Sequence, residues 1–161
     1  MAGRGLMVSP TVGCLRFLCI LAAMFLLVSC APKKVRVYEP LPESRVQLVN
    51  YAVGYVGKPY KNGAKGPDAF DCSGFIHHVF KRFDVNLPYT TEELDRVGYP
   101  IPRDGAVAGD LVVFRIKRSY HIGIMVNGSD FVHASLSRGV AIDNVEQPYW
   151  KRSIVRFRRV M

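Results

Sequence analysis

Apolar residues follow a helical period in the first half of the folded chain and a period of two in the second half. From 43 to 56 they recur every three or four positions, and Gly57 and Pro59 interrupt the pattern. This predicts a first helix over roughly 43–56. Further along, Thr90 and Glu93 have the spacing of a capping box, which predicts a short helix that ends near residue 95.

The strongest helical signal begins at Cys72. Asp71 is a suitable N-cap, and Phe70 and Phe75 occupy the two positions of a hydrophobic staple. The apolar stripe of this helix comprises Phe75, Ile76, Val79, Phe80 and Phe83. The polar side, which we expect at the surface, carries His77, His78, Lys81 and Arg82.

Strand patterns dominate from residue 111 onward. Alternating apolar residues predict strands over 111–115, 121–126, 131–136 and about 153–157. Asn127-Gly128 is a strong hairpin signal between the second and third of these strands. Helices followed by an antiparallel β-meander predict an α+β domain.

The apolar residues of this hairpin determine where its histidines point. One face of each strand carries Ile122, Ile124 and Val126, or Val132, Ala134 and Leu136. If these faces coincide, His121 and His133 lie together on the opposite face. In that case the residue numbers of each cross-strand pair add up to an even number. The loop between the strands must then have an odd number of residues, or contain a bulge, and a two-residue Asn-Gly turn does not fit.

The first 30 residues have the order of an export signal: basic residues, the apolar run 17–28, and a small residue before Cys30. Leu27-Val28-Ser29-Cys30 resembles the lipobox at which bacterial lipoproteins are lipidated and cleaved. We therefore expect a signal peptide over 1–29, a lipidated Cys and a tether over 30–41, and a folded domain over 42–161. Ala31 is compatible with outer-membrane sorting, facing the periplasm, if the organism has two membranes.

Cysteine use then isolates one thiol. Cys14 and Cys19 leave with the signal and Cys30 takes the lipid, so Cys72 is the one cysteine that remains. Such an unpaired cysteine is a dimer link, an inert buried residue or a reactive group. At the first turn of a helix it lies near the positive end of the helix dipole, which suits a nucleophilic thiolate.

The chain is basic, with 22 Lys and Arg against 13 Asp and Glu. Removing Arg4 and Arg16 with the signal leaves a net charge of +7. This favours an acidic partner, and export argues against nucleic acid, whereas carboxylate-rich wall peptides and anionic membranes both fit. A basic solvated surface without a partner is the alternative.

The motifs together resemble the NlpC-type cysteine peptidases of bacterial cell walls, which have a reduced papain-like fold. They occur in family order and span nearly the whole chain after the signal: Gly57-Lys-Pro-Tyr60, Phe70-Asp-Cys-Ser-Gly-Phe75, Leu87-Pro88 with Thr90, Gly109-Asp-Leu-Val112, His121-Ile-Gly-Ile124 and Phe131-Val-His-Ala-Ser135. The resemblance implies Cys72 as the nucleophile, His121 as the general base and His133 as the residue that orients it. Tyr60 would lie beside the nucleophile near the oxyanion.

The resemblance also implies substrate contacts at Asp71 and Ser73, no metal or other cofactor, and peptidoglycan as the substrate, cut at bonds that involve D-amino acids or diaminopimelate. Two positions depart from the family pattern. Tyr89 stands where many members have Arg, and Ala108 where Pro is usual. Tyr89 could therefore alter a substrate contact.

Three other functions fit some of the same residues. Cys72, His121 and His133 are legitimate zinc ligands, although a thiol at a helix start facing a strand histidine is the arrangement expected of a Cys–His peptidase. A wall-binding module that has lost catalysis is disfavoured because all three catalytic positions are filled. A related Cys–His acyltransferase or amidase stays open.

Overall fold

The computed structural model describes residues 41–161, so the expected signal peptide and Cys30 lie outside the described residues. The helices are α1 (Glu43–Val53), α2 (Cys72–Lys81), α3 (Thr91–Leu94) and α4 (Pro148–Lys151), with a 3-10 turn over Arg103–Gly105. The strands are β1 (Tyr99–Ile101), β2 (Leu111–Ile116), β3 (Ser119–Met125), β4 (Asp130–Ser135), β5 (Gly139–Asn144) and β6 (Ile154–Arg159). Within residues 41–161, no helix is long and apolar enough to cross a membrane.

The described strands form one antiparallel sheet in the order β1-β6-β2-β3-β4-β5. Strands β2 to β5 are a meander, and β6 returns to the other side of β2. The predicted α+β class is therefore confirmed. The prediction lacked β1, β5 and α4, and it extended α1 three residues too far, since the chain turns at 54–57.

The start of α2 follows the local sequence signals. The Asp71 side chain accepts a hydrogen bond from the Gly74 N–H at 2.6 Å, and the rings of Phe70 and Phe75 meet edge to face with centroids 5.4 Å apart. The N-cap and the hydrophobic staple are thus confirmed, and Cys72 is the first helical residue.

The prediction that His77 and His78 lie at the surface is wrong. His77 is buried, its Nδ1 lies 2.6 Å from the carbonyl oxygen of Leu87, and its ring stacks on Tyr89 at 3.8 Å. His78 is half-buried, and its Nε2 lies 2.8 Å from the hydroxyl of Tyr55. The segment that follows α2 folds back over the side of the helix that has no apolar stripe.

The two faces of the sheet bury different residues. Ile122, Ile124, Val132 and Ala134 pack with α1 and α2 in one core cluster. Residues of a second cluster include Phe114, Met125, Phe131 and Trp150. Leu136, which the pattern placed on the first face, is 80% exposed because β4 ends at Ser135.

A buried ionic group joins α1 to the sheet. Asp110 is fully buried, and its carboxylate accepts hydrogen bonds from Arg45 at 2.9 Å and from Arg159 at 2.8 Å. The carboxylate and the two guanidinium groups therefore each have a partner of opposite charge. A buried charge requires such a partner. The Gly109-Asp-Leu-Val112 motif thus ties α1 and β6 to the start of β2.

The register of the β3–β4 hairpin is the one the apolar pattern requires. Ile124 pairs with Val132 and Met125 with Phe131, so the paired numbers have an even sum. The Val126 N–H donates to the carbonyl of Asp130 at 2.7 Å, which leaves a three-residue loop over 127–129. The prediction of an odd loop is confirmed, and His121 and His133 share a face.

Candidate active site

Three polar side chains on neighbouring strands form a hydrogen-bonded row. His121 of β3 has its Nε2 2.8 Å from Nδ1 of His133 on β4, and Nε2 of His133 lies 2.9 Å from Oδ2 of Asp143 on β5. The register explains the row, because each residue is the diagonal same-face neighbour of the next. Arg138, from the β4–β5 turn, donates a further hydrogen bond to Asp143.

This row lies in the wall of a cavity of about 1010 Å³. The cavity is also lined by Cys72 at the start of α2 and by Tyr60. Its remaining walls come from the β2–β3 turn, the β4–β5 turn and α4. The structure therefore gathers the four residues to which the resemblance gives catalytic roles around one open space.

Cys72 is half-buried at the first turn of α2, and its thiol is free. Among the described residues, the hydrogen bond of its sulfur is with Oγ1 of Thr91, at 3.4 Å, rather than with His121. Thr91 is a buried residue of α3 that the sequence patterns did not single out. Direct contact between the thiol and His121 stays a prediction for the substrate complex, in which catalytic hydrogen bonds tighten.

Burial dominates the protonation of the two histidines. Burial, together with a smaller electrostatic effect of His133 and against the opposing effect of Asp143, lowers the pKa of His121 to about 3. Burial also lowers the pKa of His133, although its hydrogen bond to Asp143 raises it. Both rings are therefore neutral at neutral pH, and His121 can act as a proton acceptor.

The Tyr60 hydroxyl keeps its proton. Burial raises its pKa, and the neighbouring Cys72 and Asp71 raise it further. A protonated phenol beside the thiol is a hydrogen-bond donor, which is what a developing oxyanion requires.

Asp71 and Ser73 make internal hydrogen bonds. Besides capping α2, Asp71 accepts from Lys65 at 3.3 Å, and the Ser73 hydroxyl donates to the carbonyl of Tyr89 at 2.7 Å. Both residues are buried, and neither is in the lining of the cavity. Their contact with substrate stays a prediction.

Gly74, two residues after Cys72, packs against backbone and does not open space for a substrate. A Cβ on Gly74 would lie 2.2 Å from the carbonyl oxygen of Ala64, so the space beside it is filled by backbone. The small residue is needed for close packing of the Ala64 loop against α2.

Gly123 makes room for the pair of histidines. It lies next to His133 across the hairpin, and a Cβ there would come within 2.6 Å of the Phe131 ring and 3.3 Å of Cβ of His133. Any side chain at this position would push β4 side chains away. The glycine in His121-Ile-Gly-Ile124 is thus a packing requirement of the site.

Trp150 covers the row from the side of α4. Its ring stacks on His121 with centroids 5.7 Å apart and meets His133 edge on at 5.0 Å. Sequence reasoning missed both Trp150 and Asp143. The alternation of Val140 and Ile142 was the available signal for β5, but it begins only a few residues after the predicted strand over 131–136.

The zinc alternative fits this arrangement poorly. Both ring nitrogens of His133 are engaged, one with His121 and one with Asp143. A metal would have to displace one of them. Within the part of the chain that the structure describes, no group of three His, Cys, Asp or Glu residues is placed to hold a metal ion.

A half-buried thiol at a helix start and a histidine row on an antiparallel sheet define a small papain-like α+β domain. The chain belongs to the NlpC/P60 family, whose model matches residues 57–159. Among solved structures, it is similar to an NlpC/P60 family protein from Bacillus cereus, with a TM-score of 0.68, 26% identity, and 74% of this chain and 41% of that chain covered. It is also similar to the NlpC/p60 domain of the peptidoglycan hydrolase SagA, with a TM-score of 0.64, 26% identity, and 72% and 98% covered.

Two curated relatives come from Escherichia coli strain K12. The chain is 35% identical over 117 residues to "Murein DD-endopeptidase MepS/Murein LD-carboxypeptidase", which covers 71% of this chain and 62% of that protein. It is 31% identical over 158 residues to "Probable endopeptidase NlpC", which covers 91% of this chain and all of that protein. The match thus spans less than two thirds of the first relative and the full length of the second.

Proposed function

We propose that this protein is a cysteine endopeptidase that hydrolyses peptide bonds in peptidoglycan and so serves in cell-wall remodelling. The observation that carries the proposal is the 2.8 Å contact between His121 and His133 in the wall of a cavity that Cys72 also lines. The names of the relatives, a murein endopeptidase, a probable endopeptidase and a peptidoglycan hydrolase, support the substrate class.

The proposed reaction splits amide hydrolysis into two steps. His121 accepts the proton of the Cys72 thiol, and the sulfur attacks the carbonyl carbon of the scissile bond. The protonated His121 then donates to the leaving amine, and water hydrolyses the thioester with His121 again as the base. The Tyr60 hydroxyl is suited to donate a hydrogen bond to the oxyanion of each tetrahedral intermediate.

Charge at the cavity supports an acidic substrate. Lys117 and Arg138 line it from two turns, and Asp143, an acidic residue of the lining, is already paired with Arg138. With Asp143 offsetting Arg138, Lys117 leaves the lining with a net positive charge, which attracts carboxylates. Wall peptides carry carboxylates on glutamate and diaminopimelate, so they fit this charge pattern.

Mass spectrometry of purified wall fragments incubated with the full chain tests the proposal, because it reports both activity and the bond that is cut. Replacing Cys72 with Ser should lower the rate by on the order of 10³-fold or more, since the residues of a nucleophile–base pair act as a unit. Circular dichroism should show an unchanged fold. Full activity in the Cys72→Ser variant would refute the cysteine mechanism.

Two reagents separate the thiol mechanism from the zinc alternative. Alkylation of the protein should abolish cleavage, because Cys72 is the free thiol of the described domain. Treatment with a metal chelator should leave the rate unchanged. Loss of activity with the chelator and its recovery on addition of zinc would favour metal catalysis instead.

We further propose that the protein is exported and anchored to the cell envelope through lipid on Cys30, on the outer membrane facing the periplasm if the organism has two membranes. Support comes from the apolar run 17–28, the small residue before Cys30 and the Pro-interrupted basic segment after it. A short tether would hold a basic domain close to the wall it cuts.

A further inference from the structure

Asp143 forms an ion pair with Arg138, but it also contacts His133. An ion pair that served stability alone would not need to lie beside the histidine row. It lies in β5, two residues beyond the partner of His133, so its carboxylate faces the same side of the sheet as the two histidines. The Asp143 side chain is 8% exposed, whereas the side chain of its partner Arg138 is 53% exposed. The buried end of the pair therefore points into the catalytic row, and the solvated end points out of it.

Asp143 is ionised in the folded protein. Burial raises the pKa of its carboxyl group, but hydrogen bonds and charge from Arg138 and His133 outweigh burial and hold the pKa below its ordinary value. An ionised carboxylate can only accept hydrogen bonds. The proton in the 2.9 Å contact with His133 therefore belongs to Nε2 of His133.

The direction of the remaining hydrogen bonds follows from this one. A neutral imidazole carries a proton on one nitrogen alone, so Nδ1 of His133 has a free lone pair. Nε2 of His121 must then be the donor in the 2.8 Å contact. His121 is neutral too, and its Nδ1 is left without a proton.

We propose that Asp143 is a positioning residue, which acts through His133 to hold His121 in the tautomer whose Nδ1 is unprotonated. This rests on the proposed function in one respect, since only a base without a proton at Nδ1 can take the proton of Cys72 through that atom. When His121 becomes protonated, the buried negative charge of Asp143 also stabilises the positive charge through His133.

A side chain without a hydrogen-bonding group at position 143 would remove this control. An Asn would not, because its Oδ1 could still accept from both His133 and Arg138, which bond the same carboxylate oxygen of Asp143. In Asp143→Leu, whose branched side chain has a similar shape, Nε2 of His133 has no acceptor, so the proton can move to Nδ1 of His133, reverse the contact with His121 and leave a proton on Nδ1 of His121. Asp130→Asn is a matched control, because Asp130 lies on the neighbouring strand β4 and bonds to Asn144 and Asn127, away from the histidines.

The test is a two-bond proton–nitrogen correlation spectrum of the full chain labelled with ¹⁵N-histidine, with the His121 signals assigned by their loss in His121→Gln. We expect Nε2 of His121 to be protonated and Nδ1 unprotonated in the wild type and in Asp130→Asn, and the reverse pattern to be populated in Asp143→Leu. Protonated Nδ1 in the wild type would overturn the proposal by itself, even if the variant did not fold.

Kinetics on wall fragments supply the second readout. Asp143→Leu should lower kcat at least about 10-fold with KM within about twofold, because an incorrect histidine tautomer costs up to about 10⁴ in other triads. Asp130→Asn should match the wild type. Unchanged tautomers and kcat in Asp143→Leu would refute the positioning role. If the wild type cut no wall fragment, the peptidase proposal would fail, while the spectra would still decide the role of Asp143.

Discussion

Nε2 of His121 lies 2.8 Å from Nδ1 of His133, across a hairpin whose three-residue loop sets the pairing. A loop one residue shorter or longer would move one histidine to the other face of the sheet. The contact therefore depends on the register of β3 and β4 as much as on the histidines themselves. It also depends on Gly123 of β3, which leaves space for Phe131 and His133 of β4.

Replacing Gly123 with Ala should disrupt the histidine pair. The added Cβ would meet the Phe131 ring at 2.6 Å and Cβ of His133 at 3.3 Å, so β4 side chains must shift. We expect kcat on wall fragments to fall at least about 10-fold and stability to fall by about 1–3 kcal/mol, as is usual for overpacking. Gly128→Ala is the matched control, since no atom lies within 4 Å of its added Cβ. Equal activities of the two variants would contradict this packing argument.

Stability should fall as the pH is lowered from about 6.5 toward about 3. The pKa of His121 is lowered to about 3 in the folded protein and returns to about 6.5 on unfolding. Between these values the unfolded chain binds a proton that the folded protein does not, so the free energy of unfolding decreases with decreasing pH. The lowered pKa of His133 acts in the same direction.

Urea unfolding midpoints from about pH 7.5 to about pH 4 measure this dependence. The His121→Gln variant, which has no titrating ring at this position, should show a smaller loss of midpoint over the same range. An identical slope in both proteins would show that the neutral His121 ring is not a source of the acid sensitivity.

Lys117 should lower the stability of the fold and strengthen substrate binding. It has a φ of 56°, a left-handed conformation that costs a lysine roughly 1–2 kcal/mol, and it lines the cavity. In Lys117→Asn, a residue that tolerates this conformation, we expect a gain of up to about 1 kcal/mol and a higher KM for wall fragments that bear carboxylates. Arg118→Asn, at the exposed neighbouring position of the same turn, should change neither quantity. A lower unfolding temperature for Lys117→Asn, or an unchanged KM, would contradict the prediction.

Lipidation should depend on Cys30. In the Cys30→Ala variant, the mature N-terminus and its lipid should be lost, and the protein should leave the membrane fraction. Mass spectrometry of the N-terminal peptide and fractionation of cells measure the two effects. An N-terminal mass and a membrane fraction equal to those of the wild type would contradict the anchor.

Local and periodic signals explain what could be predicted from the sequence. Asp71 caps the first turn of α2 and the alternation of β3 and β4 fixes one shared face, so Cys72 and the two histidines could be placed before the structure was known. These features need only neighbouring residues or one short turn. They are the parts of the site that pattern analysis reaches.

Features that depend on the folding back of distant segments were not predictable. His77 was assigned to the surface because the period of α2 cannot show that the Leu87–Tyr89 segment covers that side of the helix. Asp143 was missed because its role requires the pairing of β5 with β4. The sequence pattern did not separate this region into two strands. Tyr89, which stands where many family members have Arg, stacks its ring on His77 and does not line the cavity.

Trp150 is the single tryptophan of the chain, and its indole lies against the imidazole of His121. The protein thus contains one tryptophan fluorophore, and it is located at the cavity wall. Its emission is sensitive to the charge of the neighbouring ring and to any molecule that enters the cavity. Ligand binding and proton transfer at His121 can therefore be followed optically in the unlabelled protein.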